Sequence, residues 1–289
     1  MTRPFRFGVN LIAPSPGDAW RAKCRRAEEL GFDVISVADH LGMPSPFPAL
    51  VAAAEATTRP RLGTFVLNCA FWNPVLLARE VATAVALTDG RLELGLGTGY
   101  VRAEFEQAGV EWGTAGSRVD RLLHTVEELE RLLPSSGPDA RPPLLIGGNG
   151  DRMLRIVAEH ADIAAFVGAR PAPELPSGLF PLSAEELDGR VAAYRKFAAD
   201  RAEPAERNLL VQLVDVTDDP AASARPWLER MPTLTEQDVL DSPLVLVGSV
   251  EQIARRLIEQ RERFGFSYIT VLEPHMEVLA PVIEELRGR

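Results

Sequence analysis

Apolar residues return along this chain in two alternating rhythms. Short runs rich in leucine and β-branched residues are separated by longer stretches in which apolar positions recur every three or four residues. The short runs predict strands over Phe5–Leu11, Val34–Ala38, Leu62–Leu67, Leu92–Gly95, Leu144–Ile146, Ile163–Val167, Leu209–Val214 and Tyr268–Leu272. The stretches between them predict helices over Ala19–Leu30, Pro48–Thr57, Val75–Leu87, Val119–Leu133, Asp151–His160, Glu185–Asp200 and Val250–Phe264. Gly31 and Gly265 follow two of these helices as stops, Pro74 suits a first helical position and Ser117 suits a cap. Alternating strands and helices with short connections imply the α/β class, with parallel strands and right-handed crossovers.

Two architectures fit that class. An open Rossmann-type sheet expects its glycine-rich turn after the first strand. Here Gly8-Val9-Asn10-Leu11 lacks that fingerprint, and Gly95-Leu96-Gly97-Thr98-Gly99 comes late and lacks the last glycine. A (β/α)8 TIM barrel is favoured, and a barrel of about 250 residues accommodates the chain as a single domain over 1–289. Two stretches break the rhythm, near 168–182 and 215–243. The first contains proline-rich Arg170–Pro181; the second carries Pro220, Pro226, Pro232 and Pro243 and is expected to hold one or two short helices. Long loops at the active face of a barrel read as lids; an insertion of no consequence is the competing reading.

Polar or glycine-rich clusters begin where several strand runs end. Asp39-His40 follows the second, Asn68 the third, Gly97-Thr98-Gly99-Tyr100 the fourth and Gly147-Gly148-Asn149-Gly150 the fifth. In a parallel barrel, strand ends of one kind converge on one face, where such folds keep their chemistry. The clusters are therefore expected to surround one pocket, which favours an enzyme.

Each cluster has a chemical reading and a plainer one. His40 can donate or accept a proton near neutrality, with Asp39 orienting it or accepting a bond from a heterocycle; the pair also suits a simple turn cap. Gly97, Thr98 and Gly99 let backbone amides approach a planar ring or an anion, and Tyr100 can wall the pocket; a tight turn needing positive φ would look the same. Glu104 suits a local ion pair as well as a ligand contact. Gly147, Gly148, Asn149 and Gly150 precede a helix start, where free amides and the helix dipole favour phosphate, with Arg152 adding charge. A sharp junction would need the same glycines. Asn68 can read a ring edge, and Phe71 and Trp72 can line a substrate pocket or simply pack. Cys69 has no histidine beside it in sequence and receives no catalytic role.

Composition narrows the class. The chain is 46% hydrophobic and 25% charged, as an ordinary globular protein is. Its net charge of −10 argues against nucleic acid, which calls for a basic footprint, but not against a small anion held locally. Cys24 and Cys69 show no paired spacing, so reduced thiols and a cytoplasmic home are expected. The start, Met1-Thr2-Arg3-Pro4, lacks the apolar stretch of a signal peptide, and no apolar segment approaches membrane-spanning length. His40, His124, His160 and His275 are scattered without metal-ligand spacing, so no metal is expected; Gly-x-Ser-x-Gly and Walker motifs are absent.

Taken together, FRFGVNL, GFDVISVADH, LGTFVLNCAFWNPVLLAREVATAVALTDGRLELGLGTGY, PPLLIGGNGDRMLRIVAEHADIAAF and LVLVGSVEQIARRLIEQRERFGFSYITVLEP resemble the bacterial luciferase-like family of flavin and deazaflavin oxidoreductases. The resemblance spans essentially the whole chain and sits nearer the deazaflavin branch, which uses coenzyme F420, than the FMN monooxygenases. It implies a (β/α)8 barrel with the ring at the strand C-termini. Asp39 and His40 would lie near the ring and Asn68 at its edge, with Gly97, Thr98, Gly99 and Tyr100 along it. Gly147, Gly148, Asn149 and Gly150 would hold the phosphate of its side chain. It also implies a non-proline cis peptide at Phe65–Val66, and the family commonly forms homodimers.

Two departures count against the family's sugar-phosphate oxidation: Tyr100 replaces a glutamate after the Gly-Thr-Gly turn, and Met43 and Pro44 occupy the region of a tryptophan. The resulting expectation is an F420-dependent oxidoreductase that moves a hydride between C5 of the deazaflavin and a small organic substrate. His40 would be catalytic, with Phe71, Trp72 and Tyr100 against the substrate. The competing expectations are an FMN-dependent monooxygenase using reduced flavin and oxygen, and a flavin- or deazaflavin-binding protein without turnover.

Overall fold

In the computed structural model, which describes residues 3–134, 141–172, 175 and 179–289, the apolar runs form a closed parallel barrel. The chain begins β1 (Arg6–Leu11), α1 (Gly17–Glu29), β2 (Val34–Val37), α2 (Pro46–Ala56), β3 (Arg61–Thr64), β4 (Leu67–Asn68) and α3 (Pro74–Leu87). It continues through β5 (Leu92–Gly97), α4 (Arg102–Ala108), α5 (Ala115–Leu132), β6 (Leu144–Gly147), α6 (Asp151–His160), β7 (Ile163–Phe166), β8 (Ala169–Pro171) and β9 (Leu179–Pro181). Then follow α7 (Ala184–Phe197), β10 (Glu206–Val211), β11 (Leu213–Val216), α8 (Pro220–Arg230) and α9 (Glu236–Asp241). The chain closes with β12 (Val245–Gly248), α10 (Val250–Phe264), β13 (Phe266–Leu272) and α11 (Met276–Glu285). The main sheet runs β3-β2-β1-β13-β10-β7-β6-β5-β4, and β3 also pairs with β5, which closes the ring. Because β3 and β4 are two parts of one interrupted stave, its nine segments make an eight-stave barrel.

Strand alternation separates two packing layers. Phe7, Val9 and Leu11 of β1 face outward into the core shared with the helices. Val34, Leu145, Ile163, Ala165 and Tyr268 form a second cluster, against which Phe65 and Val66 pack. Burial on both sides of a parallel sheet explains why its strands read as near-continuous apolar runs. Four charged residues occupy the N-terminal ends of their strands. Arg6 bridges Glu93 at 2.8 Å and Glu206 at 2.7 Å, and Arg61 also reaches Glu93 at 2.8 Å. The Arg6 guanidinium lies 4.5 Å from the centroid of the Tyr268 ring. Mutual pairing compensates charges whose removal from water is costly.

Several boundaries differ from the pattern. The third predicted strand is interrupted at a cis Phe65–Val66 peptide, giving β3 and β4. The seventh is two segments: β10 stays in the barrel, whereas β11 pairs with β12, Leu213 opposite Val245. Strand β12 and helix α11 were not anticipated. The second insertion contains α8 and α9. The ends of Arg170–Pro181 pair as an antiparallel hairpin, Ala169 opposite Pro181; residues 173, 174 and 176–178 of that loop lie outside the described residues. Ser117 does not cap α5: Thr114 does, accepting from Ser117 N, while the Ser117 hydroxyl accepts from Thr114 N. Pro74 starts α3 behind an Asn73 cap, and Gly31 and Gly265 take positive φ after their helices. No described helix is long and apolar enough to cross a membrane.

Candidate functional site

The site is assembled where β2, β4, β5 and β6 end. Asp39 sits two residues beyond β2, and its Oδ2 accepts from Asn68 N at 3.1 Å and from Trp72 Nε1 at 2.9 Å. One carboxylate oxygen therefore fastens the segment after β2 to the segment around β4. Burial pushes the Asp39 carboxyl above its ordinary range, against the opposing pull of those two hydrogen bonds and of His40.

The neighbouring His40 is held by a group distant in sequence. Its Nδ1 lies 2.9 and 3.0 Å from the two oxygens of Glu104, in the first turn of α4. The His40 and Tyr100 rings meet edge to face at 5.5 Å. His40 Nε2 makes no hydrogen bond with a described residue, and the side chain is 24% exposed. The ring is fixed on one side and accessible on the other. Burial and the nearby Glu104 charge both push the Tyr100 phenol upward, so it stays protonated at neutral pH.

Close approach of β5 to the interrupted β3–β4 stave explains the small residues beside it. A Cβ at Gly97 would come within 2.6 Å of Val66 Cγ2, and one at Gly95 would collide with the Thr64 carbonyl. Gly99 has φ 72°, and a Cβ there would lie 2.6 Å from the Asn68 amide. The turn therefore needs both positive φ and an absent side chain. Asn68 is buried beneath it, accepting from Ala70 N at 3.1 Å. Phe71 packs 5.5 Å from Phe105, and Trp72 meets Phe47 edge-on at 5.4 Å while its N–H serves Asp39. Both aromatics pack and both remain partly accessible.

At the end of β6, Gly148 N donates to the Ala165 carbonyl at 3.2 Å. Asn149 is tied to the segment after β7, donating to Ala169 O at 2.8 Å and accepting from Val167 N at 3.2 Å. Gly150 begins α6 without a side-chain cap, and a Cβ there would meet nothing within 4 Å. Arg152 does not add its charge here: Asp120 and the Gly116 carbonyl hold it. Arg190, from α7, lies instead 2.8 Å from Asp151 and 3.5 Å from Asn149 O.

The structure thus brings Asp39, His40, Asn68, Tyr100 and Trp72 into one network and adds Glu104, whose partner no sequence spacing identifies. Also missed were polar residues inside the barrel. Ser36 Oγ donates to Val9 O at 3.2 Å and to Asn10 Oδ1 at 3.4 Å, and Asn208 Nδ2 donates to Thr270 Oγ1 at 2.8 Å. A polar residue at an alternate position of an apolar strand was the available signal. Cys24 and Cys69 are buried, free thiols pushed up to about 12 by that burial, as inert cysteines are.

These residues fit a flat cofactor with a phosphate tail. Gly97, Gly147 and Ala165 present nothing larger than a methyl group near the strand ends, and Phe65 and Val66 add an apolar surface. The uncapped start of α6 leaves amides for an anion. The first cation after each of β5, β6 and β7 is already paired: Arg102 with Glu106 at 2.8 Å, Arg152 with Asp120, and Arg170 with Glu186 at 3.9 Å.

The model of the luciferase-like monooxygenase family matches residues 2–268. An F420-dependent glucose-6-phosphate dehydrogenase of Kribbella flavida is 36% identical over 127 residues, 41% of this chain and 38% of that protein. The oxygenase component of a flavin-dependent trigonelline monooxygenase of Acinetobacter baylyi is 30% identical over 113 residues, 37% of this chain and 31% of that protein. The chain is thus matched to well under half the length of either relative. Among solved structures, an F420-dependent secondary alcohol dehydrogenase in complex with an F420–acetone adduct superposes with a TM-score of 0.77 at 18% identity, over 98% of each chain. At that identity the likeness speaks for the barrel. The barrel, and a family match that begins before β1 and ends within β13, lead to one assignment: this chain belongs to the luciferase-like monooxygenase family.

Proposed function

We propose that this chain is an oxidoreductase that uses coenzyme F420 to move a hydride to or from a small organic substrate. The observation that carries this reading is the partly exposed His40, held at Nδ1 by Glu104 and against Tyr100 just past the glycine-rich end of β5, with Nε2 left without a described partner. Similarity to relatives named for F420 selects the deazaflavin. When bound, the deazaflavin supplies a carbon, C5, that gives or takes a hydride. Phe65, Val66, Gly97, Thr98, Gly99 and Tyr100 are assigned to the ring, with Asp39, His40 and Asn68 around it. Gly147, Gly148, Asn149 and Gly150 are assigned to the phosphate.

His40 handles the proton that accompanies the hydride, at Nε2. Tyr100, 56% exposed, joins Phe71 and Trp72 as the substrate wall. With the nearby arginines engaged and Glu104 at hand, an uncharged substrate is favoured over a sugar phosphate. A cytoplasmic homodimer that binds neither nucleic acid nor membrane completes the reading. The free thiols support the compartment, the net charge of −10 and the absence of a membrane-crossing helix among the described residues support the partner part, and the homodimer follows from the family resemblance alone.

Similarity to the trigonelline monooxygenase component favours a second reading, in which reduced FMN activates oxygen. Parallel equilibrium titrations with F420 and FMN separate the two. F420 is expected to bind at least tenfold more tightly, about 1.4 kcal/mol; a tenfold preference for FMN, with oxygen uptake on adding reduced flavin, overturns the proposal.

A further inference from the structure

We infer that Glu104 is a positioning residue that fixes both the orientation and the proton arrangement of His40, leaving Nε2 as the working nitrogen; the catalytic part of this inference rests on the function proposed above.

Three independent restraints meet on one imidazole. The backbone beside it is held through Asp39, whose Oδ2 takes hydrogen bonds from Asn68 N and Trp72 Nε1. The Tyr100 ring packs edge to face against it at 5.5 Å. Both oxygens of Glu104 lie within 3.0 Å of Nδ1, and the Glu104 side chain is only 15% exposed. An ionised carboxylate offers acceptors and no donor, whereas a neutral imidazole carries its proton on one nitrogen and a lone pair on the other. The proton therefore belongs on Nδ1 and the lone pair on Nε2, which has no described partner. A tautomer is fixed at one ring nitrogen by the hydrogen bond made at the other.

This arrangement suits an alcohol–carbonyl couple. In oxidation, His40 Nε2 would take the hydroxyl proton as the substrate carbon gives up a hydride and becomes a carbonyl; bound F420 would supply the hydride acceptor. Reduction reverses both transfers. Glu104 touches neither reacting atom; it acts through His40. A purely structural ion pair would join the same loops, but would not require the rest of the enzyme to depend on which nitrogen carries the proton.

The test is a long-range 1H–15N correlation spectrum of the labelled full chain without cofactor, at pH 8, with His40 assigned by loss of its signals in His40→Asn. The expected spectrum shows Nδ1 protonated and Nε2 bare. A ring protonated on Nε2, alone or together with Nδ1, overturns the inference. Glu104→Gln should lose the Nδ1–H preference and, loaded with F420, turn over about 100-fold more slowly with F420 affinity changed less than twofold. Glu104→Asp should restore the Nδ1–H preference and much of the turnover. Retention of the wild-type tautomer and turnover in Glu104→Gln overturns the inference. If Glu104→Gln does not fold, Glu104→Asp decides alone: the Nδ1–H tautomer supports the inference and the Nε2–H tautomer overturns it. If F420 fails to bind at all, the proposed function falls, while the cofactor-free spectrum still decides the role of Glu104.

Discussion

Asp39 offers a stability test worked from its contacts. Asp39→Ala removes the acceptor shared by Asn68 N and Trp72 Nε1, at 3.1 and 2.9 Å. Asn68 is buried and Trp72 partly so, and each buried donor left unpaired costs about 1–3 kcal/mol. Removing a carboxylate already disfavoured by burial offsets part of that loss, so the net expectation is a destabilisation of about 2–4 kcal/mol. Asp39→Asn keeps an oxygen acceptor and removes the charge that burial disfavours, so at pH 7 it should stay within about 1 kcal/mol of the wild type.

The pH dependence has a definite sign. Because burial raises the folded-state carboxyl, the native chain holds a proton at pH values where the unfolded chain, near about 3.9, has released it. Stability contributed at this site is therefore fully present below the unfolded value and is lost as pH rises through the raised folded one. Asp39→Asn should gain on the wild type across that window. Equilibrium urea unfolding of the three proteins between pH 4 and 8 measures both effects. A loss below about 1 kcal/mol for Asp39→Ala, or an Asn variant that falls behind as pH rises, would refute this account of the anchor.

The other predictions are shorter. His40→Ala should lower turnover by about 100-fold or more, with the F420 dissociation constant nearly unchanged; unaltered turnover removes His40 from the chemistry. Alanine at Gly95, Gly97 and Gly150 should give a graded series, because the new methyl meets a backbone carbonyl, a valine side chain and open space in turn. Gly97→Ala is expected to cost about 1–3 kcal/mol and Gly95→Ala more, with Gly150→Ala near about 1 kcal/mol as a cap effect. Thermal unfolding that ranks them otherwise contradicts the close approach of β5 to the β3–β4 stave. Glucose 6-phosphate should show no saturable F420 reduction at concentrations where a neutral alcohol does; the reverse ranking defeats the uncharged-substrate reading.

Much of the barrel was legible because its strands are buried on both faces and so read as compact apolar runs. Val9, Ile35 and Val271 stand opposite one another in register, and all three belong to runs visible in the sequence. The harder cases had competing physical causes. Val245–Gly248 follows the proline-bearing insertion and leads directly to the α10 cap at Ser249, and it pairs with β11 outside the main sheet, so an eight-strand barrel pattern left it no place. Leu209–Val214 looked like one strand because its apolar run crosses Gln212, where the chain leaves the barrel to join β12. The tight-turn reading of Gly99 holds, since the residue takes positive φ and leaves space for Asn68. The pairing of His40 with Glu104 was beyond reach, because 64 positions separate them and neither residue type implies the other.

Rigidity at the mouth comes from a chain of small contacts, and that chain explains why the site needs so few dedicated residues. Asp39 fixes the segment after β2 through Asn68 and Trp72, and Asn68 fills the space that Gly99 leaves. Tyr100 follows Gly99 and lies against His40, while Glu104 closes the circuit from α4. A disturbance at any member should therefore be felt at the imidazole. The charged cluster of Arg6, Arg61, Glu93 and Glu206 sits at the opposite ends of the strands. Opening that cluster should weaken the barrel while leaving the His40 tautomer intact. Breaking the Asp39 anchor should disturb both, and the difference between those two outcomes separates residues that support the fold from residues that aim the chemistry.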